Sequence, residues 1–533
     1  MRAYLCAFAA LVLSAPSTAA WYRASSDHFI IYSDQSPERI QQFAENLEKF
    51  DGAVRSVRGM ADLPVSQGNR LTVFRLDSPE AVQRLIKDES ATVYGFYTGR
   101  ASGSLAFVGP GEASNERPVF APGSHIVRTR PNTNLGESTI LLHEYAHHLM
   151  MQDLRVPYPQ WLVEGFAEFM STAQFDSDGS VRLGLPAMHR YDGLMGGDSL
   201  ALPTILSGDY DRITGEQMES VYGRGWLLTH YLTFDPSRKG QLAAYLTALA
   251  NGASSLDAAK QAFGDLGKLH RDLEAYLHRS TMQFVKVPAS AVAFTPVKVE
   301  PLSAGGAAVM PLLIEVKNGV AANEAEALAA RVRAVEARYP GDQLVETTLA
   351  EAELQAEHPD AAEAAAGRAL AASPRNTDAL LLEGQAIEAR AEKQQGPERA
   401  ALFSRARKIF ISANAIDKED PEPLMRFYRA YVSEGVAPTA NAVAALHYAS
   451  DLAPQDLGLR MESALAFVRG GDAAKARQVL APVAYNPHGG KLGKAAKEVM
   501  VKIAAGDTSG ALGAGEAALQ KLDDADGGAE LRD

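Results

Sequence analysis

The residues best suited to chemistry are His143, Glu144 and His147, in the run His143-Glu144-Tyr145-Ala146-His147. They lie within 137–152, a stretch with helical periodicity. Two histidines four apart share one face of an α-helix, roughly 6 Å apart at Cβ, so both imidazoles reach one metal ion. Glu144 is turned about 100° around the axis from His143. From there it can hold a water beside the metal and take its proton. The pattern predicts a zinc hydrolase.

A third ligand must come from elsewhere. Further on, the chain reads Trp161-Leu162-Val163-Glu164-Gly165-Phe166-Ala167-Glu168-Phe169. Its apolar residues predict a mostly buried helix, with Glu164 and Glu168 four apart on one face. A carboxylate is costly to bury unless it is paired or metal-bound. Two of them beside a His pair point to one site, whereas a surface helix of ion pairs would not need the Trp and Phe neighbours.

H-E-x-x-H followed by Glu on the next helix resembles the gluzincin metallopeptidases. The phrase Trp161-Leu162-Val163-Glu164-Gly165-Phe166-Ala167 is similar to the W-L-x-E-G-F-A of M1 aminopeptidases. That resemblance implies Glu164 as third ligand of one Zn²⁺, although the 16 residues between His147 and Glu164 are slightly fewer than in M1 enzymes. Glu168 falls where thermolysin-like enzymes carry an Asp, which implies that it holds the second N–H of a ligand histidine. Tyr222-Gly223-Arg224-Gly225 opens an apolar helical stretch and resembles the M1 Y-x-K-G segment, with Arg224 in place of Lys. Tyr222 is thereby implied as hydrogen-bond donor to the oxyanion. The M1 G-x-M-E-N loop is absent, so aminopeptidase specificity is not implied. The resemblance is confined to the residues around the site. It is strongest to small peptidase-MA-like domains of bacterial exported proteins. The implied fold has a small mixed sheet whose edge strand binds the substrate backbone, with 104–108 and 124–130 as candidates.

Other ligand sets fit less well. A metzincin pattern would need Gly where Met150 stands and His where Asp153 stands. His148 points elsewhere on the helix. His125 and His189 have no ligand-spaced partners and read as structural or surface residues. His230 reads as a packed core histidine.

These residues need a scaffold. The chain has 533 residues, 46% of them hydrophobic, enough for two or three domains with cores of their own. A formal charge of −13 argues against nucleic acid and anionic membrane surfaces as partners. Residues 1–20 read as a secretory signal peptide, with Arg2, an apolar core over 5–14 and small residues before Trp21. Its removal would take away Cys6, the one cysteine, leaving His and carboxylate as zinc ligands. Periplasmic or secreted localisation follows. No other segment is long and apolar enough to span a bilayer, so no integral membrane segment is expected.

In 21–285, strands are predicted at 28–33, 71–75, 92–97, 104–108 and 124–130. Helices are expected from Ser36-Pro37 to about Val57 and from Ser78-Pro79. Residues 156–285 read as mostly helical, with loops at Gly196-Gly197-Asp198 and Ser207-Gly208-Asp209. The alternating Val, Pro and Thr of 286–318 predict a β-rich connector.

From 319 to 505 the chain is Ala-rich and helical. Prolines recur at 340, 374, 421, 454 and 487, with gaps of 34, 47, 33 and 33. This spacing, with small residues such as Ala350, Ala362, Ala430, Ala442, Ala464 and Ala476, resembles tetratricopeptide repeats (TPR), with an insertion around 392–398. Residues 506–533 read as a flexible tail.

The expectation is therefore an α+β zincin-like peptidase domain followed by an all-α TPR solenoid. Its substrate would be a peptide or protein, and the solenoid would bind a partner or substrate segments. Two rivals remain: an exported TPR scaffold with an inactive peptidase-like domain, and a zinc hydrolase of a non-peptide bond.

Overall fold

The computed structural model of the chain describes residues 21–62, 65–86, 95–109, 137–152, 158–196, 200–208, 210, 213–486 and 489–525. The expected signal peptide with Cys6, the strand at 124–130, His125, Asp153, Gly197, Asp198 and Asp209 lie outside the described residues. Mixed α+β structure with a six-stranded sheet is followed by a long all-helical region.

The strands are β1 (Tyr22–Ser25), β2 (Phe29–Ser33), β3 (Leu71–Arg75), β4 (Gly95–Thr98), β5 (Leu105–Val108), β6 (Gln174–Phe175), β7 (Val181–Leu183), β8 (Val285–Val287) and β9 (Lys298–Pro301). The main sheet runs β4-β5-β3-β2-β1-β9, and β6-β7-β8 form a small second sheet. β2, β3 and β5 are parallel neighbours, with Ile31 opposite Val73 and Val73 opposite Ala106.

Successive side chains of a strand alternate faces, so this register makes two apolar faces. Phe29, Ile31, Leu71, Val73, Ala106 and Val108 join the main core. That core is completed by α1 (Pro37–Arg58) and by later helices. α1 starts on the Pro37 signal and stops at Gly59, whose φ of 65° suits glycine. The short α2 (Pro79–Ile86) follows β3. Next come α3 (Glu137–Gln152), carrying the His pair, and α4 (Gln160–Ser171), carrying both glutamates.

Beyond α4 lie α5 (Tyr191–Met195), α6 (Leu202–Ser207), α7 (Gly215–Phe234), α8 (Gln241–Ala250), α9 (Ser255–Phe263) and α10 (Leu266–Leu277). The chain then returns to the sheet, where β9 pairs with β1. In segment 286–318, expected to be a β-rich connector, β8 joins the small sheet and β9 adds an outer strand to the main one. The second half of the segment is a helix, α11 (Ala304–Asn318), despite Pro311 within it.

The second face of the main sheet, bearing Phe74, Leu105 and Phe107, packs against Met310, Leu313 and Ile314 of α11. After it come α12 (Ala322–Glu336), α13 (Gln343–Gln355), α14 (Pro359–Ala372), α15 (Thr377–Glu392), α16 (Gly396–Ile416), α17 (Pro421–Glu434), α18 (Ala440–Leu452), α19 (Leu457–Arg469), α20 (Ala473–Ala484), α21 (Gly490–Ala504) and α22 (Thr508–Ala525). Each packs on the next, and α13, α15 and α17 also touch in series. Local chemistry sets the breaks: Asp342, Asn376 and Asp456, each two residues after a proline, cap the helices that follow them. The expected insertion near 392–398 is absorbed by the 21-residue α16. The expected flexible tail is helical up to Ala525, because Ala511, Leu512, Leu519 and Leu522 pack against the preceding helices. Among the described residues, no helix is long and apolar enough to cross a membrane.

The helical array also grips the sheet end directly. Asp456 Oδ2 accepts the Ala101 backbone N–H at 2.9 Å, and Asn69 Nδ2 donates to the Leu452 carbonyl at 2.7 Å. The array and the sheet share a core, in which Phe107 stacks between Phe74 and Phe96 with centroids 5.2 and 4.9 Å away. Phe107→Ala is expected to lower stability by about 3–5 kcal/mol in denaturant titrations followed by circular dichroism.

Candidate metal centre

α3 and α4 lie side by side. Their contact brings together three ligand atoms that are far apart in sequence. His143 Nε2 and His147 Nε2 are 3.1 Å apart. Glu164 Oε2 lies 3.3 Å from the first and 3.4 Å from the second. Zinc holds N and O ligands tetrahedrally at about 2.0–2.1 Å, which requires about 3.3–3.4 Å between ligand atoms. The near-equilateral triangle fits one such ion. The two imidazoles are 8% and 7% exposed and Glu164 is 0% exposed, so the carboxylate is placed where it needs a cation.

Glu168, one helical turn after Glu164, is also fully buried. Its Oε1 lies 3.3 Å from His143 Nδ1. Its Oε2 meets His189 Nε2 at 2.6 Å. Arg190 donates to Oε1 from Nε at 2.8 Å and approaches it with Nη2 at 2.7 Å. His189, expected to be structural or at the surface, and Arg190, which the motifs did not single out, therefore sit directly behind the ligands. Nothing in their spacing links them to α4; a tertiary turn before α5 brings them there.

Tyr222 does not open its helix as expected. α7 begins seven residues earlier, at Gly215, where Thr214 and Gln217 form a capping box. Tyr222 stands in the helix interior, its ring centroid 6.2 Å from that of His143. The Arg190 guanidinium lies over the Tyr222 ring, 4.5 Å from its centroid. Glu144 is partly exposed, and its charge acts on His143 and Tyr222.

Glycines make these approaches possible. A Cβ on Gly165 would lie 2.3 Å from the Gly225 carbonyl oxygen, and one on Gly225 would lie 2.6 Å from the Trp161 carbonyl oxygen. α4 and α7 therefore cross backbone to backbone, which brings Glu164 and Tyr222 to one site. On another side of α7, a Cβ on Gly193 would lie 2.1 Å from the Glu219 carbonyl oxygen. This contact presses the segment after Arg190 against α7.

Burial alone would lower the His143 pKa, but Glu168 and Glu164 outweigh it and raise it to about 10. Burial would raise the Glu168 pKa; Arg190 and His143 instead hold it well below the usual carboxylate range. Burial, then the charge of Glu164, pushes the Tyr222 phenol up, so it stays protonated and able to donate.

His148 and His230 serve packing. His148 Nε2 accepts from Gln152 Nε2 at 3.0 Å, and its Nδ1 pairs with Tyr97 Oη at 2.9 Å, on the sheet side of α3. His230 is fully buried between Tyr276 Oη at 2.8 Å and the Gln283 carbonyl at 3.0 Å, among Phe169, Trp226 and Phe234. A second group of metal-ligand type, His28, Asp51 and Asp62, is already satisfied. Asp51 accepts from Arg55 Nε and Tyr145 Oη, both at 2.7 Å, and His28 Nδ1 pairs with Glu48 at 2.9 Å. Strand 104–108, expected as a candidate edge, lies between β3 and β4; among the described strands β4 and β9 are outermost, and β4 packs against α3. Gln174–Phe175 and Val181–Leu183 form a hairpin within 156–285, a segment expected to be mostly helical.

Gly165→Ala is expected to cost about 1–3 kcal/mol by overpacking, measured by urea denaturation. His230 supplies a pH test. Burial lowers its pKa to about 4 from 6.5. Above pH 6.5 both folded and unfolded states are neutral there. As pH falls from 6.5 to 4 the unfolded chain gains a proton that the folded chain refuses, so stability drops by on the order of 3 kcal/mol. Denaturant titrations at pH 7, 5 and 4 should show a loss of stability that is smaller in His230→Gln than in the wild type by this amount, the remainder coming from groups such as the buried His148.

No protein-family model matches the chain, and no curated protein matches it in sequence.

Proposed function

We propose that the chain is an exported zinc metallopeptidase of gluzincin type, with a zincin-like domain and a C-terminal TPR-like array for partner or substrate binding. The observation that carries this reading is the triangle of His143 Nε2, His147 Nε2 and Glu164 Oε2, with sides of 3.1, 3.3 and 3.4 Å. These three residues would hold Zn²⁺. Bound zinc supplies a Lewis acid that polarises a carbonyl and makes water acidic near neutral pH.

Glu144 takes the proton of the attacking water and passes it to the leaving amine. Its partial exposure beside buried ligands suits a group that must meet both water and substrate. Tyr222, held protonated, donates to the carbonyl oxygen as that oxygen gains charge. Glu168 accepts from His143 Nδ1, so that a bound metal would take the place of the proton on Nε2. Among the described strands β4 stands at the sheet edge next to α3, where an extended peptide could pair.

The test is to purify the protein, measure zinc stoichiometry and assay a broad fluorogenic peptide library. One zinc per chain is expected, with kcat lowered about 10²–10⁴-fold in Glu144→Gln and zinc lost in His143→Ala. A zinc-loaded protein with no Glu144-dependent peptide cleavage would refute the peptidase reading, leaving a non-peptide hydrolase or an inactive scaffold. Equal metal content in wild type and His143→Ala would refute the site itself.

A further inference from the structure

Arg190 makes more contacts with the site than a simple ion pair requires. Its Nε and Nη2 converge on Glu168 Oε1 at 2.8 and 2.7 Å. Its Nη1 reaches both oxygens of Glu219, at 2.9 and 3.1 Å. Its flat face lies 4.5 Å from the Tyr222 ring centroid. The side chain is 12% exposed, so these contacts lie largely out of water. A planar guanidinium can serve two carboxylates with its edges and an aromatic ring with its face at once; an ammonium cannot.

The geometry matters because of which oxygen Arg190 holds. Glu168 Oε2 is engaged by His189. Oε1 is shared between Arg190 and His143 Nδ1. The carboxylate is pinned at both oxygens, so its plane cannot turn, and His143 Nδ1–H has a fixed acceptor. The same guanidinium sets the position of the Tyr222 ring.

We propose that Arg190 is a positioning residue that locks Glu168, and through it the metal-facing tautomer and orientation of His143, while fixing Tyr222 beside the same site. This rests on the metal-centre reading above. Glu219, whose side chain is 47% exposed, anchors the guanidinium from the solvent side. His189 shares the load on Glu168.

The experiment is a set of zinc affinities from chelator competition on the full chain: wild type, Arg190→Gln, Arg190→Lys, Glu168→Gln, the Arg190→Gln/Glu168→Gln double variant, and Glu219→Ala. Arg190→Gln and Glu168→Gln should each weaken zinc binding about 10- to 100-fold, as loss of an outer partner of a metal-bound histidine does. The double variant should be no weaker than Glu168→Gln alone, because Arg190 acts through Glu168. Arg190→Lys should restore part of the affinity. In the Co²⁺-substituted protein, the visible absorption bands should shift in Arg190→Gln. If Arg190→Gln does not fold, Glu219→Ala carries the test, with a smaller loss of affinity that also disappears in the Glu168→Gln background. Unchanged affinity in Arg190→Gln, or a loss that persists undiminished without Glu168, would overturn the inference while leaving the metal centre intact. A wild type that binds no zinc would remove the metal centre and this inference with it.

Discussion

Two carboxylates one helical turn apart, Glu164 and Glu168, have no exposure to water. Burying an ionised carboxylate costs several kcal/mol unless positive charge and hydrogen bonds surround it. The surroundings of α4 answer that demand with two separate sets of partners. Glu164 faces the Nε2 atoms of His143 and His147. Glu168 faces the other nitrogen of His143, with His189 and Arg190. His143 is the one group common to both. It is clamped between Glu164, which shares the candidate metal position, and Glu168, which does not.

Such an arrangement tolerates little slack in the helices that carry it. α4 must approach α3 closely enough for Glu164 to meet the His pair, and α7 closely enough for Tyr222 to reach the same space. The bare backbones of Gly165 and Gly225 permit the second contact. On the other flank, Gly193 against the Glu219 carbonyl brings the Arg190 segment onto α7. The site is therefore framed by backbone-to-backbone contacts, which move less than contacts between flexible side chains.

The helical array belongs to the same construction. The sheet under α3 has a second apolar face, and α11 covers it. A chain of polar contacts runs from the array to α3. Gln455 Nε2 donates to Ser104 Oγ at 3.3 Å, Ser104 Oγ lies 3.4 Å from Tyr97 Oη, and Tyr97 Oη meets His148, the neighbour of His147. The array is thus built onto the sheet that supports the site.

By itself the sequence determined what depends on local spacing. H-E-x-x-H on α3 and the Glu164–Glu168 pair on α4 were legible, because a 3.6-residue repeat places residues four apart on one face. The α1 start, β2, β3 and β5 were legible from proline and alternation, and the α13, α15 and α19 starts fit the proline spacing, each being capped two residues after a proline. Long-range contact decided the rest. β9 is short, and its partner among the described strands, β1, is distant in sequence. The helical conformation of 304–318 is supported by the sheet face it covers, and 508–525 is held by the helices before it. His189 and Arg190 carry no spacing signal, since their partner lies on another helix. Tyr222 was picked out by its neighbours, but its place inside α7, beneath Arg190, follows from the glycine crossings. Spacing along one element names the groups that share a face; the packing of elements alone determines which of those faces meet.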